Sequence, residues 1–452
     1  VSVGSGWAGF NLLRRLKAES YDVTLVSPRN YFVFTPLLAG TASGTLEFRA
    51  ATEPVRAFSK GKDYLEATCT SIGKLPPPPL LFHFFIFHDL HSSSPPDPHE
   101  GIIECQSVFS DTENLRTFRI PYDRLVIAVG SYTNTFGVEG VKEYANYLKD
   151  VTDARKIRQR IMDCFEMAAQ PGLSTEEKSR LLHFAVVGGG PTGVELSAEL
   201  ADLVHDDMSR FYPHLMRYTS ITVYDMSSRI LGSFDVKLSE YASKRFKREG
   251  ISIRTGANVT RVMEKCLVIK EGKGEGKSEE IPYGLLVWAT GIAANPLLNS
   301  LKDTASLDKI GRLEVDGNLR VLDKHGQALD RVYALGDCSS LKGSPLPATA
   351  QVANQQANYL GRVFKQISQQ SGVEANIPPF QYKYTGAMAY VGGWRAVAEI
   401  GESPTKVRGS GIGAWIFWRS AYLNMSLSWK NKFLIPSYWL YSWIFGRDIS
   451  RF

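Results

Sequence analysis

The sequence predicts an α/β protein with two parallel-sheet domains and a helical C-terminal segment. Two glycine-rich turns carry this prediction: GSGWAG at residues 4–9 and GGGPTG at residues 188–193. Each turn stands where a β-strand should lead into a helix, and each is followed by a further β-rich stretch. A strand, a glycine turn, a helix and a second strand form one βαβ unit, from which parallel sheets are built.

Glycine turns of this kind present backbone N–H groups and the positive end of a helix to a pyrophosphate. One such motif alone is weak evidence, but two that each open a βαβ unit indicate two bound dinucleotides. The predicted fold class is therefore a pair of Rossmann-like dinucleotide-binding domains with an added helical segment. A flavin that accepts hydride from a nicotinamide fits such a pair of sites.

The two βαβ units end differently, and the difference assigns the sites. The second strand of the first unit ends in Ser27, with Arg29 close behind, where the usual motif has an acid for the ribose hydroxyls. This weakens a plain NAD assignment there, although a serine beside an arginine can hold a ribose in another way. The second unit ends in Asp225, which favours NADH over NADPH because a carboxylate repels a 2′-phosphate. A solvated acid at a strand end is the alternative.

Three further strands should end at the same ligand edge. Two apolar strands end in Gly130 and Gly291, and a third ends in Asp337. The carboxyl ends of parallel strands meet at one edge of a sheet, so glycines there let a ligand approach. The Asp337 carboxylate can accept hydrogen bonds from a polyol chain.

The overall composition of the chain argues against several classes of function. The 452 residues suffice for two or three domains, and 44% hydrophobic with 22% charged residues is typical of a folded protein. A net charge of +6 is too small to indicate nucleic-acid binding. The five cysteines include no CxxC pair, and none precedes Cys69. Disulfide-reductase chemistry is therefore disfavoured, and free thiols are expected.

Residues 75–99 differ from the rest of the chain. They contain four consecutive prolines, an aromatic run and four of the eight histidines. We interpret them as a disordered insertion or a translated intron, because the flanking stretches, 64–72 and 101–108, would join as strands of one small sheet without them. A metal site is disfavoured, since nothing there fixes ligand geometry.

The C-terminal segment is aromatic and basic. Five of the eight tryptophans follow Gly411, and seven Lys or Arg stand against one acid from residue 405 onward. Large side chains recur every three or four residues over 415–429, which predicts an amphipathic helix, and residues 436–445 predict a second, apolar one. Neither reaches the roughly 20 residues that span a bilayer. We expect a helix pair in the interface of an anionic membrane, with a dimerisation or core-packing hairpin as the alternative.

Three motifs carry a resemblance to a known family: SPRNYFVFTPLL at residues 27–38, VVGGGPTGVE at 186–195 and AQVANQ at 350–355. Together they closely resemble the type II NADH:ubiquinone oxidoreductases, the single-subunit alternative NADH dehydrogenases of fungal and plant mitochondria and of bacteria. The resemblance runs over nearly the whole chain apart from residues 75–99, and the tail is similar to the fungal kind. A serine at the first ribose position is normal in this family.

The resemblance implies FAD in the first domain, NADH in the second and ubiquinone as electron acceptor. It implies an FAD-binding domain at 1–150 and 292–384, an NADH-binding domain at 151–291 and a membrane-anchor and dimerisation region at 385–452. The implied FAD contacts are Gly4, Gly6, Gly9, Ser27, Arg29, Thr35 and Asp337. The implied NADH contacts are Gly188, Gly190, Gly193 and Asp225.

The same resemblance implies roles for five further residues. Glu195 matches a glutamate near the nicotinamide–flavin junction that orients the nicotinamide or helps to move protons, although an acid in a first helical turn is also favourable in itself. Gln351 and Gln355 share one helical face and match a quinone-facing pair, with a solvated stripe as the alternative. Arg419 and Tyr422 match residues that line the quinone tunnel, although Arg419 could equally meet lipid phosphate.

The implied reaction is hydride transfer from NADH to FAD and then two-electron reduction of ubiquinone, without proton pumping. The expected protein is a homodimeric, monotopic protein of the mitochondrial inner membrane. Because the chain starts at Val1 on the stub of a strand, we expect its natural N-terminus, with any targeting segment, to be missing. The alternatives are an apoptosis-inducing-factor-like NADH oxidase, a ferredoxin reductase or a sulfide:quinone oxidoreductase. A non-catalytic, membrane-bound NADH-sensing scaffold is the alternative from a different class.

Overall fold

The computed structural model describes residues 1–73, 101–109, 117–271, 278–369, 377–401 and 406–450. The predicted insertion at residues 75–99 lies outside the described residues. The chain packs as two compact units. The first comprises Val1–Phe32, Pro54–Tyr132 and Ile292–Tyr382, and the second comprises Val33–Glu53, Thr133–Gly291 and Lys383–Phe452.

The strands of the described residues, in chain order, are β1 (Ser2–Val3), β2 (Thr24–Ser27), β3 (Tyr31–Val33), β4 (Thr52–Pro54), β5 (Asp63–Ile72), β6 (Gly101–Ser107), β7 (Thr117–Tyr122), β8 (Leu125–Ile127), β9 (Ser131–Tyr132), β10 (His183–Val187), β11 (Ser220–Asp225), β12 (Ile251–Thr255), β13 (Ala257–Val262), β14 (Cys266–Glu271), β15 (Ser278–Pro282), β16 (Leu285–Trp288), β17 (Ala293–Ala294), β18 (Leu313–Val315), β19 (Arg320–Leu322), β20 (Ala328–Ala334), β21 (Ser339–Leu341), β22 (Gly386–Tyr390), β23 (Ala396–Ile400) and β24 (Val407–Gly411).

The α-helices of the same residues are α1 (Trp7–Leu13), α2 (Leu38–Ala42), α3 (Val141–Tyr144), α4 (Val151–Ala169), α5 (Thr175–Leu181), α6 (Pro191–Leu203), α7 (Ser209–Phe211), α8 (Val236–Arg248), α9 (Ala350–Gln369), α10 (Ile412–Met425) and α11 (Trp429–Phe445).

The first unit is built on a ten-stranded sheet in the order β21-β18-β19-β20-β8-β1-β2-β5-β6-β7. Its centre is parallel, with Val3 of β1 opposite both Val26 of β2 and Ile127 of β8. These three side chains belong to one buried apolar core. The helix α1 begins at Trp7, within the first glycine turn, because Gly6 is the last extended residue before it, and it ends at Leu13.

The second unit holds a four-stranded parallel sheet in the order β12-β11-β10-β16, with two antiparallel three-stranded sheets, β13–β15 and β22–β24. Gly190 precedes α6, and Pro191 occupies its first turn, where the missing N–H costs no hydrogen bond. The helix continues through one π turn, Val204–Met208, to Phe211. The predicted α/β class with two parallel sheets is thereby confirmed.

The strands that flank the predicted insertion join in one antiparallel sheet, as predicted. The strand β5 pairs with β6, and Cys69 lies opposite Cys105. Both thiols are buried, and all five cysteines are free.

The compact units divide the chain differently from the predicted domains. The limit at 291/292 is common to both divisions, but residues 33–53 and 133–150 pack in the second unit. Packing defines the units, whereas the predicted domains describe which cofactor each segment binds. The functional division therefore stays a prediction.

The tail forms two helices, as predicted, but with different bounds. The predicted face over 415–429 is interrupted, because α10 ends at Met425 and Trp429 opens α11. The Ser428 Oγ accepts a hydrogen bond from the Asn431 N–H at 3.1 Å and so caps the new helix. Pro436 lies inside α11. No helix of the described residues is long and apolar enough to cross a membrane.

Glu53 fixes the start of α11. Its buried Oε1 accepts hydrogen bonds from the Ser428 N–H and from Asn431 Nδ2, both at 3.0 Å. The same Asn431 amide donates to the Thr52 carbonyl at 3.0 Å. A carboxylate at a helix N-terminus is stabilised by the helix dipole. The tail is therefore tied to the segment around residue 53.

We expect Asn431→Ala to loosen this attachment by about 1–3 kcal/mol, because it leaves buried hydrogen-bonding groups unpaired. The rate at which a protease removes the tail measures the effect. Asn424→Ala, at an exposed position of α10, is the matched control and should leave the rate unchanged. Equal cleavage rates for both variants would contradict the anchoring role.

Candidate functional site

The first glycine turn packs tightly at both ends and is open at its centre. Gly4 has φ of +108°, and a side-chain carbon there would lie 2.3 Å from the Ala128 carbonyl oxygen. A side-chain carbon at Gly9 would lie 1.9 Å from the Gly4 carbonyl oxygen. At Gly6, by contrast, no atom beyond the glycine and its chain neighbours lies within 4 Å of the corresponding point.

The second turn repeats this geometry. Gly188 has φ of +118°, and a side-chain carbon there would lie 2.7 Å from the Ala289 carbonyl oxygen; one at Gly193 would lie 1.9 Å from the Gly188 carbonyl oxygen. At Gly190, no atom beyond the glycine and its chain neighbours lies within 4 Å of the point where a side-chain carbon would stand. A side chain at Gly6 or Gly190 would extend into the open space at the centre of its turn. Both turns therefore fit a pyrophosphate.

Two serines order the first turn. The hydroxyls of Ser5 and Ser27 lie 2.7 Å apart, and the Ser27 Oγ also accepts a hydrogen bond from the Arg29 N–H at 3.3 Å. Ser27 is buried and Arg29 is half-buried. The structure thus brings both predicted ribose contacts to the turn, with the Ser27 hydroxyl engaged in holding it.

Asp225, at the end of β11, is bonded to the second turn itself. Its Oδ2 accepts a hydrogen bond from the Gly189 N–H, and its Oδ1 accepts one from the Ser227 N–H at 2.6 Å. The carboxylate is therefore held beside the turn rather than simply solvated.

The other predicted strand-end residues have distinct surroundings. Gly130 has φ of +67° and open space where a side chain would stand, and the Asp337 carboxylate accepts a hydrogen bond from the Ser131 hydroxyl at 2.8 Å. Gly291 has φ of +80°, and a side-chain carbon there would lie 2.6 Å from the Asn134 carbonyl oxygen. A local packing requirement therefore accounts for Gly291 without any ligand.

Glu195 lies on the buried face of α6, and its surroundings hold it neutral. Its Oε1 accepts hydrogen bonds from the Tyr390 N–H at 3.2 Å and from Trp418 Nε1 at 3.1 Å. Burial raises the pKa of Glu195 to about 8, and the Glu199 carboxylate adds to the rise, whereas the two hydrogen bonds oppose it. A carboxyl of this kind can hold and release a proton near neutral pH.

Two further acids on α6 escaped the sequence reasoning. Glu199 Oε2 accepts hydrogen bonds from the hydroxyls of Ser43 at 2.8 Å and Thr45 at 2.6 Å, and Asp202 Oδ2 accepts one from the Tyr390 hydroxyl at 2.5 Å. Spacings of four and three among apolar residues indicate one helical face, and this signal was available in the sequence. Within the described part of the chain, no group of three or more His, Cys, Asp or Glu is placed to hold a metal ion.

A cavity of about 10 Å³ lies within the second unit beside these acids. Glu195 and Glu199 line it together with apolar and aromatic residues. These include Pro36, Leu37, Leu46, Tyr390, Trp418 and Trp439. The predicted flavin contact Thr35 is exposed and directly precedes this lining in a short 3-10 turn.

The two predicted quinone glutamines lie on α9, in the first unit. Both are half-buried, and Gln351 Oε1 accepts a hydrogen bond from the Tyr382 hydroxyl. Their buried neighbour Gln356 instead accepts one from the Gly336 N–H at 2.6 Å. On this helix, Gln356 therefore has a structural role, whereas Gln351 and Gln355 are the pair that matches the family motif.

The two predicted quinone residues of the tail have different surroundings. Tyr422 is buried, with its ring edge-on to Phe34 at 6.1 Å between centroids. The Arg419 guanidinium lies 4.3 Å from the ring centroids of both Trp415 and Trp439, and burial lowers the pKa of Arg419 to about 10. The cation therefore joins α10 to α11 through aromatic contacts.

Comparison with known proteins gives matches along the whole chain. The family model described as pyridine nucleotide-disulphide oxidoreductase matches residues 1–357, and that of the NDH2 C-terminal domain matches residues 384–448. The chain is 38% identical to a probable NADH dehydrogenase of Dictyostelium discoideum, over 100% of this chain and 91% of that protein. It is 38% identical to an internal alternative NAD(P)H-ubiquinone oxidoreductase of Solanum tuberosum mitochondria, over 100% and 87%. An external alternative NADH-ubiquinone oxidoreductase of Yarrowia lipolytica mitochondria is 35% identical, over 100% and 80%.

Two solved structures resemble this chain over nearly its whole length. The NDH2 structure from Plasmodium falciparum in complex with NADH superposes with a TM-score of 0.85 at 29% identity, over 99% of both chains. The sulfide:quinone oxidoreductase of Aquifex aeolicus superposes with a TM-score of 0.68 at 15% identity, over 99% of this chain and 95% of that one. The second likeness shows the fold alone.

Two alanine substitutions in the second turn should have different effects, one on the stability of the fold and the other on NADH binding. Gly193→Ala places a carbon on the Gly188 carbonyl oxygen and should destabilise the folded protein. Gly190→Ala meets no protein atom, so this variant should fold normally and lose NADH binding at least tenfold. Thermal unfolding and equilibrium titration with NADH measure the two effects. Unchanged NADH affinity in Gly190→Ala would contradict the interpretation of the second turn as a pyrophosphate site.

Proposed function

The chain belongs to the family of alternative, type II NADH:ubiquinone oxidoreductases, and we infer from this that it is an FAD-dependent enzyme that oxidises NADH and reduces ubiquinone without pumping protons. One structural observation on residues of this chain supports the inference. Two glycine turns with the same close packing and the same open centre lie one in each compact unit. A protein with two such cradles fits two dinucleotides, as the reaction requires.

We propose that the first turn, Gly4, Gly6 and Gly9, holds the FAD pyrophosphate. Ser27 and Arg29 lie at the adenosine end, and the bonding of Ser27 to the turn supports this placement. The remaining FAD contacts of the proposal are Thr35, Gly130 and Asp337. When bound, FAD accepts hydride and returns two electrons, so the protein's task is to orient the reactants and exclude water.

We propose that the second turn, Gly188, Gly190 and Gly193, holds the NADH pyrophosphate and that Asp225 binds its adenosine ribose. The carboxylate is already fixed by two backbone N–H groups, and each of its oxygens keeps an acceptor site for a ribose hydroxyl. We also propose Gly291 as a cofactor contact, although local packing alone explains why glycine occupies that position. Glu195 serves this reaction as the buried acid that holds a proton.

The quinone contacts that we propose, as the family resemblance implies, are Gln351, Gln355, Tyr422 and Arg419. The amides of the pair donate hydrogen bonds to quinone carbonyl oxygens, and the buried Tyr422 ring supplies an apolar wall. The contacts of Arg419 with two tryptophans argue against the alternative that it meets lipid phosphate. We assign it the task of holding the walls of the tunnel.

We propose that the tail lies on an anionic membrane surface. Nine large apolar side chains of its two helices are more than half exposed: Ile412, Ile416, Trp429, Phe433, Leu440, Tyr441, Trp443, Ile444 and Phe445. Basic residues accompany them, as in helices that lie in a membrane interface. The Solanum and Yarrowia relatives are mitochondrial, and we place the chain on the mitochondrial inner membrane as a peripheral protein. A homodimer formed through the same region remains part of the proposal.

The decisive experiment is to purify the protein with its flavin and follow the flavin absorbance. NADH should bleach it, and a short-chain ubiquinone should restore it. Bound FAD that NADH does not bleach would favour the NADH-sensing scaffold. Reoxidation by oxygen as fast as by quinone would favour an oxidase of the apoptosis-inducing-factor kind.

The quinone assignment is tested with the double variant Gln351→Leu, Gln355→Leu. Two lost hydrogen bonds, at about 1 kcal/mol each, should slow quinone reduction roughly tenfold or more while NADH still bleaches the flavin. Gln366→Leu, at an exposed position of the same helix, is the control. Normal quinone reduction by the double variant would overturn the assignment.

The membrane assignment is tested by flotation with vesicles that contain anionic lipid. Trp443→Ser with Phe445→Ser removes two side chains that are 66% and 71% exposed, and binding should weaken at least tenfold, since burying each contributes about 1.5–3 kcal/mol. Phe211→Ser, 57% exposed but outside the tail, should float like the wild type. Equal flotation of all three proteins would refute the tail as the membrane contact.

A further inference from the structure

Three buried carboxylates lie along one face of α6. Glu195, Glu199 and Asp202 are four and three residues apart, so their side chains project from the same side of the helix. Each is between 7% and 8% exposed. An ionised carboxylate is costly to bury unless hydrogen bonds or nearby cations compensate for the lost water. The protonation state of each acid therefore depends on its neighbours.

The middle acid, Glu199, has the surroundings of an anion. The hydroxyls of Ser43 and Thr45 both donate to its Oε2, and Arg447 Nε donates to the Thr45 Oγ1 at 3.0 Å. The cations that face it are Arg447, from the segment after α11, and Arg419, from α10. Two donated hydrogen bonds and two cations therefore compensate this carboxylate for the water it lacks.

The two outer acids have the surroundings of neutral carboxyls, and Tyr390 contacts both. Its backbone N–H donates to Glu195, and its hydroxyl donates to Asp202. Burial raises the pKa of Asp202 to about 7, and Glu199 adds to the rise; the Tyr390 hydroxyl, the Gly393 N–H and Arg447 oppose it. Glu195 faces Glu199 in the same way, and its other neighbours are Trp418 and the buried Tyr422.

The spacing along the helix suits proton transfer. Carboxylates three or four residues apart on a helix have β-carbons about 5–6 Å apart, a gap that one water molecule bridges. Glu195 and Glu199 both line the cavity of about 10 Å³, which is room for one water. At the other end, Asp202 lies under a surface turn, where the Gly393 N–H donates to its Oδ1 at 3.0 Å and Trp394 is 46% exposed.

The proposed reaction consumes one proton from water in each turnover. NADH gives up a hydride, which carries two electrons and one proton, whereas quinol formation takes two electrons and two protons. We propose that Asp202 takes up this second proton from solvent and passes it along α6, through Glu199, to Glu195 at the cavity. Asp202 touches no reacting atom. It is a positioning residue, because it acts by delivering the proton to Glu195 through Glu199. The proposal rests on the proposed function.

The test variant is Asp202→Asn, in the full chain with its flavin, because an amide keeps the hydrogen-bonding shape but does not titrate. Flavin reduction by NADH in a single turnover should be unchanged. Reoxidation by a short-chain ubiquinone should slow at least tenfold, since positioned proton transfer contributes roughly 10²–10⁴-fold. In the wild type the reoxidation rate should change with pH near 7, and the variant should lose that step.

An infrared pH titration gives a readout independent of turnover. The oxidised protein without quinone should show a carboxyl C=O band that titrates near pH 7, absent in Asp202→Asn and retained in Asp202→Glu. Tyr390→Phe should move the step to higher pH, because it removes a donor to the ionised form. This second variant serves if Asp202→Asn does not retain flavin. Glu240→Gln, an exposed acid of α8, is the control for loss of one charge.

Two results would overturn the proposal separately from the enzyme assignment. One is normal flavin reduction by NADH together with wild-type reoxidation and pH profile in Asp202→Asn. The other is a carboxyl step near pH 7, separate from that of Glu195 near pH 8, that stays unchanged in Asp202→Asn. Failure of NADH to reduce the flavin of the wild type would instead overturn the proposed function, and the relay with it.

Discussion

A contact of backbone on backbone at the second glycine turn determines where α6 lies. Gly193 approaches the Gly188 carbonyl so closely that a side-chain carbon would stand 1.9 Å from that oxygen. Only glycine lets the helix begin this near to β10. Because α6 continues without a break into its π turn, its start also places the acids on its buried face. One steric requirement thus fixes both the shape of the second glycine turn and the line of carboxylates.

Those carboxylates are tolerated because remote segments supply donors to them. Ser43 and Thr45 reach Glu199 from the segment after α2, Trp418 reaches Glu195 from the tail, and Tyr390 contacts both Glu195 and Asp202 from the end of β22. An unpaired buried carboxylate would instead destabilise the fold by several kcal/mol. Folding of the second unit and the proton chemistry of its acids therefore depend on the same hydrogen bonds.

The tail combines a buried side with an exposed apolar side. One side of its helices is buried on the second unit through Trp418, Tyr422, Ile435 and Trp439, whereas the other exposes large apolar side chains. Arg419 between Trp415 and Trp439 holds the two helices together. The same helix pair donates a hydrogen bond from Trp418 to Glu195 and carries the proposed membrane contact, so both belong to one structural element.

The sequence by itself determined the two glycine turns, the βαβ units, the acid at the end of β11 and the amphipathic tail, because each depends on local spacing that neighbours in the chain supply. It also placed Gln351 and Gln355 on one face of a helix, but their role came from the family motif. Only the tertiary structure decided that α11 begins at Trp429, that Arg419 stacks on two tryptophans and that Glu195, Glu199 and Asp202 are buried together. Burial and protonation of those acids depend on residues about 150 to 220 positions away along the chain. No local pattern encodes such a contact, since desolvation is a property of the packed interior.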